Sequence, residues 1–237
     1  MIEMLTIRRS NERGHANRGW LDAYHSFSFN TYHDPDNMGF GPLRVINEDK
    51  FGPSQGFGMH PHENMEIITY VLSGSLAHED NTGGKGILRP GDIQRMSAGT
   101  GVFHSEANAS DTEWLHLFQI WIEPNILGAA PRYGESHIPE SAKRGKWAVV
   151  ASGTGREGAM EIYQDAELLT TLLEPGESRE HTLATGRLGY VHIVAGEVTV
   201  NGQLLATGDA AKLEQETLVS LQAHAASEVL LFDLPVD

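Results

Sequence analysis

Residues 114–122 alternate strictly: Trp114, His116, Phe118, Ile120 and Ile122 fall on one face of an extended chain, and Leu115, Leu117, Gln119 and Trp121 on the other. A period of two predicts a β-strand, and the apolar content of both faces predicts that both are covered. Residues 66–72 read the same way, with Ile67, Ile68, Thr69 and Val71 supplying β-branched side chains before Ser73-Gly74 ends the run. Upstream, Trp20, Tyr24, Phe27 and Phe29 mix with polar residues ahead of a turn-rich segment at 33–39, and 43–48 is a further short strand. Gly52-Pro53-Ser54-Gln55-Gly56, Asn81-Thr82-Gly83-Gly84-Lys85-Gly86 and Arg89-Pro90-Gly91-Asp92 are the corners. Short strands with turn signals roughly every eight to twelve residues predict an all-β sandwich or barrel.

After Pro124 the pattern loosens. Gly128, Pro131, Gly134, Pro139 and Lys143-Arg144-Gly145-Lys146 predict a polar connection over 125–145, between an N-terminal domain at 1–124 and a C-terminal domain at 146–237. The second half repeats the first in weaker form. Gly74 has a counterpart in Gly196, Pro90-Gly91-Asp92 in Thr207-Gly208-Asp209, and His60 in His181, each displaced by about 120 residues, as a duplicated domain requires.

The length allows either one large domain or two smaller ones. Lys plus Arg number 17 against 32 Asp plus Glu, a net charge of -15, which disfavours direct contact with nucleic acid or anionic lipid and accepts a cationic or metal partner. The absence of cysteine excludes a disulfide framework, a thiolate metal site and a cysteine nucleophile. No basic leader, apolar leader or membrane-length run is present, so a cytoplasmic, soluble monomer without membrane contact is expected.

The chemistry concentrates in two short stretches. His60 and His62 share a strand face with Cα atoms roughly 6.5 Å apart at a rise of ~3.3 Å per residue, and His104 and Glu106 repeat the spacing. Facing strands carrying these pairs bring three imidazoles and a carboxylate into one cavity, a mixed donor set for a divalent transition metal with coordination positions left open. Strand parity also aims Glu66 at that cavity, so spacing by itself does not choose between Glu66 and Glu106. Four donors in paired spacing outweigh the reading of isolated surface histidines. His78 and His116, by contrast, sit in strand patterns as hydrogen-bonded packing residues, and Trp20, Phe27, Phe29 and Phe57 read as core.

His60-Pro61-His62-Glu63-Asn64-Met65-Glu66, Ala77-His78-Glu79-Asp80-Asn81, Pro90-Gly91-Asp92-Ile93-Gln94-Arg95-Met96 and Gly99-Thr100-Gly101-Val102-Phe103-His104-Ser105-Glu106 resemble the motifs of the pirin family of bicupins. The resemblance departs from the general cupin pattern in having four residues between Gly99 and His104. It implies an all-β chain of two cupin, jelly-roll-type β-barrel domains. It makes His60, His62, His104 and Glu106 the ligands of a divalent metal, iron as Fe(2+), with one metal per chain. Glu66 is then left to accept a hydrogen bond from an imidazole N–H. The C-terminal cupin binds no metal under this pattern, in keeping with Leu183 where a second histidine is sought. The family's bacterial members imply quercetin 2,3-dioxygenase chemistry on a flavonol-like substrate with O2, with Glu106 as the catalytic base. Its animal members imply the alternative, a metal- or redox-sensing regulator that acts through protein partners.

Overall fold

A computed structural model describes residues 5–236. The chain runs through β1 (Leu5–Arg8), β2 (Gly14–Asn17), β3 (Leu21–His25), β4 (Leu43–Phe51), β5 (Gly56–His62), β6 (Glu66–Ser73), β7 (Leu76–Asp80), β8 (Lys85–Leu88), β9 (Asp92–Ser97), β10 (Val102–Asn108) and β11 (Leu115–Ile122). It continues through β12 (Arg132–His137), β13 (Ala148–Ser152), β14 (Met160–Glu161), β15 (Glu167–Leu173), β16 (Ser178–Thr182), β17 (Leu188–Ala195), β18 (Glu197–Val200), β19 (Gln203–Ala206), β20 (Ala210–Leu213), β21 (Leu218–Ala223) and β22 (Ser227–Leu234). One α-helical turn, Glu140–Lys143, and two 3-10 turns, Ser10–Glu12 and Arg156–Gly158, interrupt the strands.

The strands form two jelly-roll units of the cupin type, each made of a 7-stranded and a 4-stranded sheet. The first unit has the orders β12-β9-β6-β11-β4-β3-β2 and β5-β10-β7-β8; the second has β1-β20-β17-β22-β15-β13-β14 and β16-β21-β18-β19. The small sheets correspond strand for strand and the large sheets do so up to β4 and β15, which marks the duplication; beyond them β3 and β2 pair antiparallel, whereas β13 and β14 pair parallel. Gly74 and Gly196 mark it locally, with φ of 80° and 91°. A Cβ on Gly74 would meet the Trp114 carbonyl oxygen at 2.6 Å, and one on Gly196 the Ala226 carbonyl oxygen at 2.5 Å, so glycine is needed for both conformation and space.

Each half begins with a strand given to the other half's sheet. β1 pairs antiparallel with β20, Leu5 opposite Leu213, and β12 pairs with β9, Tyr133 opposite Met96. Residues 132–137, within the stretch expected as a connection, are thus an edge strand of the first unit's large sheet.

The two large sheets pack back to back. Ile46, Ile68, Phe118, Ile120 and Ile122 of one meet Val150, Leu168, Tyr190, Leu230 and Phe232 of the other in a shared core. This is why both faces of β11 are apolar: its second face turns inward, where Leu115 and Leu117 pack with Leu21, Phe51, Leu76 and Leu88 between the sheets of the first unit. The second unit fills the corresponding space with Leu169, Val191, Val198, Leu205, Val219 and Leu231. That interior is apolar where the first unit's is partly open. Among the described residues no helix is long and apolar enough to cross a membrane.

Candidate metal centre

In the small sheet of the first unit, β10 lies between β5 and β7. His104 sits opposite His60 on one side and Asp80 on the other, and Glu106 opposite Phe57 and His78. A register shift falls between His104 and Glu106, so β5 carries one more residue than β10 at Gly58-Met59. The bulge turns both Phe57 and His60 to the cavity, although their numbering differs in parity, and leaves Met59 at its rim with 56% exposure.

The three imidazoles converge. Ring centroids are 4.4 Å apart for His60 and His104, 4.8 Å for His62 and His104 and 4.9 Å for His60 and His62. His60 Nδ1 lies 2.8 Å from the Gly58 carbonyl oxygen; a proton there leaves Nε2 as the free lone pair. Neither ring nitrogen of His104 has a hydrogen-bond partner, although both are buried. Buried polar atoms are nearly always paired, and a bound cation is what this donor set lacks. Burial, then the neighbouring imidazoles, depress His62 to about 4 and His104 to about 3. Both are neutral near pH 7, the state a metal ligand requires.

Glu106 reaches from β10 toward the large sheet. Its Oε2 accepts a hydrogen bond from Gln119 Nε2 at 2.5 Å, and its Oε1 from Thr69 Oγ1 at 3.3 Å and Gln94 Nε2 at 3.5 Å. These donors belong to a row of buried polar residues crossing an otherwise apolar sheet. Gln94 stands opposite Thr69, Thr69 opposite Gln119, Gln119 opposite Asn47 and Asn47 opposite His25, from β9 through β6, β11 and β4 to β3. Sequence reasoning missed Gln94, Thr69, Gln119 and Asn47. Their signal was a polar residue on the buried face of a strand, such as Gln119 between Leu117 and Trp121.

Glu66 does not enter the site, contrary to strand parity. Asn64 has φ of 47°, and residues 63–65 separate β5 from β6, so the alternation counted from His62 is reset. Glu66 instead accepts a hydrogen bond from Ser97 Oγ at 2.8 Å, and burial raises its pKa against the opposing pull of Ser97 and Arg95. It receives nothing from an imidazole.

His78 is hydrogen-bonded as expected, Nε2 to Asp80 Oδ2 at 2.9 Å, and stacks on Tyr133 at 4.6 Å. It also joins His104 and Glu106 in a second cluster of donors within 4.8 Å of one another, beside the cluster of His60, His62 and His104. His116 bonds Glu48 at 3.0 Å. In the second unit His181 is held by Asp233 at 2.8 Å, and Leu183 is buried in apolar packing. The histidine cluster opens into a cavity of about 560 Å³ lined by Phe29, Phe57, Ile67 and Trp121, and by Asn47 and Asp49. Trp20 and Phe27 pack behind these walls.

Fold and centre together define a two-cupin protein with a divalent-metal site in its first unit. Residues 6–122 match the family model described as Pirin, and residues 149–234 that of the quercetinase C-terminal cupin domain. The chain belongs to the pirin family. It is 48% identical over 232 residues to the quercetin 2,3-dioxygenase of Escherichia coli (strain K12), covering 98% of this chain and 99% of that one. It is 42% identical over 231 residues to a pirin-like protein of Caulobacter vibrioides, covering 97% and 99%. The crystal structure of the bacterial pirin YhhW from Escherichia coli in complex with nickel(II) superposes with a TM-score of 0.94 at 46% identity, covering 99% of this chain and 100% of that chain.

Proposed function

We propose that this protein is a metal-dependent dioxygenase that cleaves a flavonol-like substrate with O2, the activity named for its Escherichia coli relative. The observation that carries the reading is His104, whose two buried nitrogens lack partners and whose ring faces His60 and His62 beside an apolar cavity. His60, His62, His104 and Glu106, in the first unit, hold one metal ion, and Fe(2+) is the proposed occupant. When bound, the metal supplies Lewis acidity toward a substrate oxygen and redox access to O2.

The remaining work belongs to the chain. Phe29, Phe57, Ile67 and Trp121 form walls that accept a planar aromatic substrate and exclude water. The Trp121 ring stands edge-on to His62, with centroids 4.8 Å apart, and fixes that imidazole's tilt. Gln119 anchors one oxygen of Glu106, while Oε1, held by longer bonds, accepts the proton of the flavonol hydroxyl.

Anaerobic reconstitution with Fe(2+), Ni(2+) and other divalent metals in turn, followed by oxygen uptake on adding flavonols, tests the reading. Uptake with at least one metal is expected. Tight metal binding with no uptake from any flavonol would sink the enzyme and favour a regulator acting through protein partners.

A further inference from the structure

We propose that Asp49 is the specificity-determining group of the cavity, forming hydrogen bonds with a phenolic hydroxyl of the bound substrate from the wall that faces the histidines. The assignment rests on the flavonol reading above. Asp49 lies on β4, one pleat from Asn47, opposite Ala23 of β3 and Leu117 of β11. It is 3% exposed and lines the cavity. Its position is the border where the polar row gives way to the cluster of Leu21, Ala23, Phe51 and Leu117.

The other buried carboxylates are all met by protein donors. Glu66 has Ser97, Glu106 has Gln119, Asp80 has Thr82 and Gly84, Asp209 has Arg9 and Ser10, and Asp233 has Arg187 and His181. Asp49 has none among the described residues. A carboxyl buried without a partner destabilises the fold, and one that opens onto a ligand cavity has its hydrogen-bonding capacity reserved for the ligand.

The chemistry selects the partner. Burial first, then the charges of Glu106 and Glu48, raise the pKa of Asp49; protonated, the carboxyl offers one O–H donor and one acceptor oxygen, and ionised, two acceptors. A phenolic hydroxyl is neutral and both donates and accepts, so it complements either form. A carboxylate placed against Asp49 would meet Glu106, which lines the same cavity, at like charge, and a bare aromatic edge would leave the carboxyl unpaired in a drier site than before.

Calorimetric titration of metal-loaded protein under anaerobic conditions tests this without turnover, using galangin, kaempferol and quercetin, which differ by single ring hydroxyls. Wild-type protein is expected to favour the flavonol with the matching hydroxyl by about tenfold or more over its neighbour lacking it. Asp49→Leu is expected to bring that ratio close to one, and Asp49→Asn, which keeps a donor and an acceptor, to retain most of it. Both variants are expected to fold, with a Tm at or above the wild-type value, because each removes an unpartnered buried carboxyl. A hydroxyl preference that survives undiminished in Asp49→Leu overturns the assignment alone. Failure of the wild-type protein to bind any flavonol overturns the substrate reading and this assignment with it.

Discussion

Gln119 Nε2 and Glu106 Oε2 are 2.5 Å apart, a hydrogen bond that ties a carboxylate on the small sheet to the wall of the large one across the cavity. Under the proposed assignment of Glu106 as a ligand, a carboxylate held this way is already oriented before the metal arrives. Gln119→Leu keeps the size and apolar packing but frees Glu106, and metal affinity is expected to fall by about 10- to 100-fold. Competition against a coloured chelator measures it. Unchanged affinity would show that Gln119 merely fills space.

Glu106→Gln and Glu66→Gln are expected to separate cleanly. Glu106→Gln keeps the size but removes the charge and the basic oxygen, so metal content drops moderately and oxygen uptake drops severely. Glu66 faces Ser97 and Arg95, so Glu66→Gln is expected to retain the metal and lose about 1 kcal/mol of stability. Metal analysis and urea melts on both proteins decide. A metal-free Glu66→Gln beside a fully loaded Glu106→Gln would reverse the assignment.

His62→Ala is expected to abolish metal binding and activity while leaving the far-ultraviolet circular dichroism unchanged. The cores that hold the sheets together are apolar clusters to which His62 does not belong. Chelation of the wild-type protein should lower its stability only by mass action, about 2.7 kcal/mol relative to a metal concentration of 100 Kd. An apo protein that unfolds would make the site a structural one.

Glu48 governs part of the acid limb of stability. Burial pushes its pKa up, but the hydrogen bond from His116 and the Arg13 guanidinium 2.9 Å away outweigh it and hold the carboxyl at about 2. Its pKa is depressed in the fold, so its contribution is complete above about 4.5 and is lost as pH falls toward about 2. Glu48→Gln is therefore expected to cost on the order of 2 kcal/mol at pH 7, with the difference from wild type closing through that window. Urea melts at pH 7, 4 and 3 read it; a difference constant with pH would mean that packing, not charge, sets the loss.

The sequence alone carried whatever repeats within a few residues. Period-two alternation marked β6 and β11, and glycine landmarks about 120 residues apart marked the duplication. The spacing of His60 to His62 and of His104 to Glu106 marked two strands of the site, and the fold clusters His60 and His62 with His104, and Glu106 with His104 and His78. These patterns are local because a strand's pleat fixes the direction of every second side chain.

Tertiary structure decided what depends on which strands pair. The exchange of β1 and β12 joins segments such as Leu5 and Leu213 that no local pattern links. Gln94, Thr69, Gln119, Asn47 and His25 form a row only once five separate strands lie in register, since each comes from a different strand. Parity failed where the backbone left the regular pleat: at Asn64, whose left-handed turn removed Glu66 from the site, and at the Gly58-Met59 bulge, which brought Phe57 in beside His60. A one-residue change of phase reverses every side chain that follows, and only the folded backbone shows where that change occurs.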